Sequence, residues 1–212
     1  MEEKNNNYKA FIVPIVAVAI FTLMIFGAGY AYFAATITNT NVTNINVTLP
    51  QQGTTITSTS TTCQMSINAA DMVQSANSTT HKSNSTCYLN VTLNGLEGVA
   101  CTYNVTLSNV AVSGQTPTTY SPTDGLGTGV KEFTGQLIAP TGTTAQNGSG
   151  SEVQINTLDG KVVASATITA PAGGSITQSF KFEEKWYNAD INQGVHANKK
   201  YQYKLSMTDV KC

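Results

Sequence analysis

Past Cys63 the chain alternates apolar and polar side chains with a period of two over most of its length. In CYLNVTLNG, residues 87–95, Leu89, Val91 and Leu93 fall on one face, with Asn90 and Thr92 on the other. CTYNVTLSNV, residues 101–110, sets Tyr103, Val105 and Leu107 together, with Asn104 and Thr106 opposite. Successive side chains of a strand point to opposite faces of its sheet, so these runs predict strands with one face in a core. EVQINTLDGKVVASATITA, residues 152–170, reads as two strands joined at Asp159-Gly160, a strong hairpin signal. SITQSFKFEEKWY, residues 175–187, alternates through Ile176, Phe180, Phe182 and Trp186; KYQYKLSMTDV, residues 200–210, alternates through Tyr201, Tyr203, Leu205 and Met207. No segment past Ala35 carries a sustained 3.6-residue apolar repeat. About seven to nine short strands predict an all-β fold, an antiparallel β-sandwich of jelly-roll or immunoglobulin-like type. Residues 113–128 and 139–152, rich in Gly, Thr, Pro and Ser, read as long surface loops.

Ahead of this body the pattern changes. Ala10 to Ala35 contains no charged residue. A membrane span needs about 20 apolar residues and a signal-peptide core about 7–15, so by length this run can span. Lys4 and Lys9 precede it and the next charge is Asp71, which favours the N-terminus inside and everything after Ala35 outside. The expected organisation is a short cytoplasmic segment 1–9, a transmembrane or signal helix 10–35, a Thr/Asn-rich stalk or donor strand 36–62, and a sandwich ectodomain 63–212. Gly29 and Ala31 have the spacing that signal peptidase needs, which would make Tyr32 the new start. Within 36–62, Ile45, Val47 and Leu49 share one face before Pro50. That segment is either a flexible stalk or a strand that pairs with its own domain or with a neighbour's sheet edge.

Composition narrows the function classes. Net charge is −1 and all 11 basic residues are lysine, so neither a basic footprint nor arginine forks for nucleic acid are present. Only 11% of residues are charged, a polar but uncharged surface that leans toward an exported protein. Cys63, Cys87, Cys101 and Cys212 all fall outside under this orientation, where disulfides persist. If 87–93 and 101–109 form a hairpin, Cys87 lies away from Cys101. Cys101 begins a strand and Cys212 ends one, so antiparallel neighbours would join them and leave Cys63 for Cys87. In the loop-entropy model each bridge contributes about 3–5 kcal/mol. Seven Asn-x-Ser/Thr sequons, at Asn41, Asn46, Asn77, Asn84, Asn90, Asn104 and Asn147, permit glycosylation.

No catalytic constellation emerges, and no cofactor is expected. The only histidines, His81 and His196, lie in polar, loop-like stretches, and no Cys-x₂₋₄-Cys pair supports zinc. NADINQGVHANK, residues 188–199, mimics a calcium loop through Asn188, Asp190 and Asn192. Its glycine, Gly194, comes one place late, and Lys199 stands where a bidentate glutamate belongs. It reads instead as the connection between the last two strands. In FEEKWYN, Trp186 shares the register of Phe180 and Phe182 and reads as core or a sheet-edge anchor. Glu183 and Lys185 then face solvent, and a sugar-binding role for Trp186 and Tyr187 is weakly signalled.

GAGYAYFAATITNTN, residues 27–41, resembles the N-terminal junction of TasA/camelysin-like exported proteins. The closing GSITQSFKFEEKWYNADINQGVHANKKYQYKLSM looks like the final hairpin of related surface proteins. The resemblance implies a jelly-roll subunit of an extracellular fibre, joined by donation of its N-terminal strand to the next subunit. Some members carry a protease label, but no metalloprotease motif stands here and that activity is not carried over. The leading expectation is a non-enzymatic filament or matrix subunit that self-associates. A membrane-anchored adhesin that contacts sugar or protein through 113–128 and 139–152 is the second. In the third, Lys9-Ala10 ahead of an uncharged run resembles an archaeal type IV prepilin processing point, and the helix is retained in a fibre core.

Overall fold

The structure, a computed structural model, describes residues 44–48, 54–72, 80–111 and 116–212, with only the backbone placed for 44–48 and Asp71. The apolar run 10–35, the candidate cleavage pair Ala31 and Tyr32, Leu49, and the sequons Asn41 and Asn77 lie outside the described residues. Among the described residues no helix is long and apolar enough to cross a membrane.

Eleven strands are present among the described residues: β1 (Asn44–Thr48), β2 (Thr55–Ser60), β3 (Thr62–Ser66), β4 (Ser83–Asn94), β5 (Ala100–Asn109), β6 (Phe133–Ile138), β7 (Thr143–Ala145), β8 (Val153–Gln154), β9 (Val162–Thr169), β10 (Ser175–Trp186) and β11 (Lys200–Lys211). They form two antiparallel sheets, ordered β1-β2-β4-β10-β6-β8 and β3-β11-β5-β9-β7. The fold is all-β with a sandwich arrangement. Alternate residues explain the packing: Cys87, Leu89, Val91 and Leu93 of β4 and Phe180, Phe182 and Trp186 of β10 face Tyr103, Val105 and Leu107 of β5 and Tyr201, Tyr203, Leu205 and Met207 of β11 in one buried cluster.

Three expectations are corrected by the topology. First, β4 and β5 do not form a hairpin. They lie in different sheets, with their apolar faces opposed across the core and residues 95–99 arching between them. Gly95 N–H and Gly98 N–H hold that arch by donating to the carbonyls of Gly174 and Ala170. Second, Asp159-Gly160 does not join paired strands. It carries the chain from β8 in one sheet to β9 in the other, after a 3-10 turn at Ile155–Thr157. Asp159 Oδ1 accepts the Asn109 N–H at 2.9 Å, and Gly160 N–H donates to the Leu107 carbonyl, so the pair caps the end of β5. Third, of the two readings of 36–62, stalk or strand, the strand is the one seen, and the sheet begins ahead of the expected boundary at 63. β2 pairs with β4 over Thr55–Ser60, with Ile56 fully buried. The loop expected at 139–152 likewise contains β7, paired with β9.

Cys63–Cys87 and Cys101–Cys212 are disulfide-bonded, as is compatible with an oxidising environment. The first bridge links the two sheets. Between β2 and β3 the strand leaves one sheet for the other at Thr61, whose N–H donates to the Tyr88 carbonyl and whose hydroxyl accepts the Tyr88 N–H. Cys63 follows directly and reaches Cys87 on β4. The second bridge joins the start of β5 to the residue after β11, beside a bulge between Thr208 and Lys211 where Asp209 has φ 52°.

Gly135 on β6 makes room for the core. A Cβ there would run into the ring of Phe182 on the neighbouring strand. Gly135→Ala is expected to destabilise the fold by about 1–3 kcal/mol through overpacking, read as a lowered urea midpoint at unchanged m value. A midpoint equal to wild type would show that the ring moves aside freely.

Candidate functional site

Two connections fold inward at one end of the sandwich and meet around a carboxylate. Residues 116–132, expected in part as a surface loop, lead into β6 and bring Tyr120, Thr123 and Glu132 inside. The connection from β10 to β11 brings Gln193 and, on the 3-10 turn Gly194–His196, His196. Backbone bonds set this approach. Tyr187 N–H donates to the Glu132 carbonyl at 2.7 Å, and Asn192 Oδ1 accepts the Gly194 N–H at 2.9 Å, closing a tight turn that aims Gln193 inward.

Glu132 is fully buried and four hydrogen bonds converge on its two oxygens. Oε2 accepts the Tyr120 hydroxyl at 2.6 Å and the Thr123 N–H at 2.9 Å. Oε1 accepts the Thr123 hydroxyl at 2.5 Å and the Gln193 amide at 2.9 Å. Gln193 also donates to the Tyr187 carbonyl and accepts the Ala189 N–H, each at 3.0 Å. His196 sits across Thr123, with Nε2 at 3.1 Å from the Thr123 hydroxyl and Nδ1 at 2.6 Å from the Tyr201 hydroxyl. Burial holds the His196 imidazole below its ordinary range, against the pull of the Glu132 carboxylate and with help from Lys199. Tyr120 and Trp186 pack on its ring at 5.3 and 5.1 Å between centroids. A surface depression of 340 Å³ opens beside the cluster, lined in part by Ser121, Thr123, Asn192, His196 and Tyr201. The Thr123 hydroxyl gives its one proton to Glu132, so His196 Nε2–H donates to the hydroxyl oxygen and Nδ1 accepts the Tyr201 hydroxyl, while a carboxamide sits on the same Glu132 oxygen.

The sequence-level candidates fall differently. His196, expected in a polar loop, is buried, while His81 is exposed and meets Tyr187 edge to face, 6.3 Å between ring centroids. The calcium-like run does not use its ligand pattern: Asn188 is buried, Asn192 turns back on Gly194, and the inward residue is Gln193. Among the described residues no group of three or more His, Cys, Asp or Glu could hold a metal ion. Trp186 is wholly buried and Tyr187 nearly so, which leaves neither ring as a platform for a sugar. Asn84 and Asn90 are exposed on β4. Asn104 donates its amide to Asp209, and Asn147 donates its amide to the Val162 carbonyl. Asn46 lies on β1, as do Ile45 and Val47.

Four site residues were missed in the sequence: Tyr120, Thr123, Glu132 and Gln193. They lie in aperiodic connections, where nothing local marks a side chain as inward. A fifth buried group did carry a signal. Glu184 stands two residues from both Phe182 and Trp186 and faces the core with them, fully buried. Neither of its oxygens makes a hydrogen bond of good geometry, and burial pushes its carboxyl up to about 8, the Ser85 side chain drawing it partly back.

These features define a disulfide-bonded all-β protein with a buried polar cluster at one end. Comparison with family models, with curated proteins and with solved structures gives no match to this chain.

Proposed function

We propose that the chain is a non-enzymatic structural protein of the cell surface, delivered outside by residues 10–35 and assembled into fibres by donation of residues 36–49 to a neighbour's sheet. The jelly-roll or immunoglobulin-like class and the TasA-like resemblance both belong to this reading. The observation that carries it is the place of β1. It is the outermost strand of the six-stranded sheet and pairs with β2 alone, from Asn44 opposite Thr59 to Thr48 opposite Thr55. Whatever backbone bonds β1 makes to its own β2, the β1 of another copy makes equally well, so exchange costs little.

Deletion of residues 36–49 is expected to leave a folded monomer and abolish fibres seen by negative-stain electron microscopy. Fibres that persist after the deletion would refute strand donation. A cleft of 670 Å³ lined in part by Asp124, Lys131, Thr134, Glu152, Gln154 and Asn156 supports the adhesin reading as the second. The mass of the mature N-terminus separates these readings from the pilin-like one: Tyr32 for release, Met1 for an anchor, Ala10 for a pilin.

A further inference from the structure

We propose that Thr123 and Gln193 become joined by an intramolecular ester bond that the protein forms itself, with Glu132 carrying the proton and His196 positioning the hydroxyl. This step is independent of how the chain assembles.

Each part required for acyl transfer is in place. The nucleophile is the Thr123 hydroxyl, between Glu132 Oε1 at 2.5 Å and His196 Nε2 at 3.1 Å. A hydroxyl is a weak nucleophile until an adjacent base takes its proton, and here the Glu132 carboxylate already accepts it. The Tyr201 hydroxyl on Nδ1 fixes the imidazole ring. The electrophile is the Gln193 carboxamide. Its Oε1 accepts the Ala189 N–H at 3.0 Å, a donor already aimed at the oxygen where negative charge would develop. Its Nε2 lies 2.9 Å from the same Glu132 oxygen that holds the Thr123 hydroxyl. Hydroxyl and leaving nitrogen therefore meet on one atom, which makes the two reacting groups neighbours before any step begins.

The reaction balances without a co-reactant. Thr123 Oγ1 attacks Cδ of Gln193 as its proton passes to Glu132, and the carbonyl electron pair moves onto Oε1 beside the Ala189 N–H. The carbonyl re-forms, the C–N bond breaks, and the departing nitrogen takes the proton back from Glu132 and leaves as ammonia. One C–O bond forms, one C–N bond breaks, nothing is oxidised, and Glu132 ends as it began. Ammonia leaves through the adjoining depression and is diluted by solvent, which draws the step forward. Glu132, Thr123, Gln193 and His196 are all buried, so the ester is shielded from water.

The position suits a staple. β11 ends beside the Cys101–Cys212 bridge and begins at Lys200, next to this cluster. The ester would tie the connection before β6 to the connection before β11 at the end of β11 that the bridge leaves unsecured.

The test is peptide mass spectrometry of the folded full chain after reduction and alkylation. Residues 121–133 and 188–201 contain no cysteine and no sequon, so neither disulfides nor glycans obscure them. The expected product is a single linked species, lighter than the two peptides together by one ammonia and split by hydroxylamine. Thr123→Ser keeps the linkage, while Thr123→Val and Glu132→Gln lose it. Recovery of the two wild-type peptides separately at full mass, from protein with a native near-ultraviolet circular-dichroism spectrum, overturns the proposal whether or not the variants fold. A linkage that survives in Thr123→Val overturns it as well.

Discussion

Glu132→Ala is expected to lower the stability of the folded chain by about 4 kcal/mol or more, a large share of the roughly 5–15 kcal/mol typical of a domain. The side chain removed is an acceptor hub, not a surface charge. Its loss orphans the Tyr120 hydroxyl, the Thr123 N–H, the Thr123 hydroxyl and the Gln193 amide together. Each buried donor left without a partner costs about 1–3 kcal/mol, so the total stays large even when half of them re-pair. Glu132→Gln is milder, at about 1–2 kcal/mol, because one carbonyl oxygen remains while the new NH₂ faces donors. Urea denaturation gives both numbers. Repeating the pair in a Thr123→Val background removes any covalent tie and one donor, and about 3 kcal/mol of the alanine effect should remain. An alanine variant within about 1 kcal/mol of wild type would show that the cluster is not a structural hub.

The legible parts of this fold are those where chemistry and period agree. Leu89, Val91 and Leu93, or Tyr201, Tyr203 and Leu205, announce a buried face because every second residue is apolar, and they are buried. Alternation tells which face goes inward but not which sheet the strand joins. That is why β4 and β5, adjacent in sequence and alike in pattern, were open to being read as a hairpin although they oppose each other across the core. Asp159-Gly160 failed for a related reason: a turn dipeptide reports the local backbone, and Gly160 does adopt φ 70°, but the flanking strands belong to different sheets. β2 was hidden by its composition, since Thr54 and Ser58 are buried beside Ile56 in a run that reads as polar stalk. The Glu132 cluster was out of reach. Thr123 and Gln193 are ordinary loop residues until tertiary structure brings them onto one oxygen. Glu184 was different: its register with Phe182 and Trp186 was visible, and its charge argued against the register. Register won, with consequences for the protonation of the core.

The wild-type protein is expected to lose stability from Glu184 as pH rises from about 4.5 to 8, and Glu184→Gln to abolish that loss. In the unfolded chain this carboxyl ionises near its ordinary value of 4.5, whereas in the fold burial pushes it up to about 8. Between those values the folded state holds a proton that the unfolded state has released, so stability falls with rising pH. The contribution is complete below about 4.5, is lost through about 8, and changes no further above that. At about 1.4 kcal/mol per pH unit the span is on the order of several kcal/mol. Other groups act with the opposite sign. His196 is held below its ordinary value, so acidification below 6.5 protonates the unfolded chain first and removes stability. Burial works against the charge of Glu152, but hydrogen bonds from Tyr187, Thr134 and Lys185 overcome it and hold that carboxyl at about 2, so its contribution is lost as pH falls from 4.5 toward 2. Subtracting the Glu184→Gln curve from wild type cancels these terms and isolates Glu184. The carboxamide fills the same volume and, like the neutral carboxyl, cannot ionise. The two proteins should therefore unfold at similar urea concentrations at pH 5 and diverge steadily, the variant being the more stable at pH 8.5. Parallel curves from pH 5 to 8.5 would mean that Glu184 is not the proton carrier in the core.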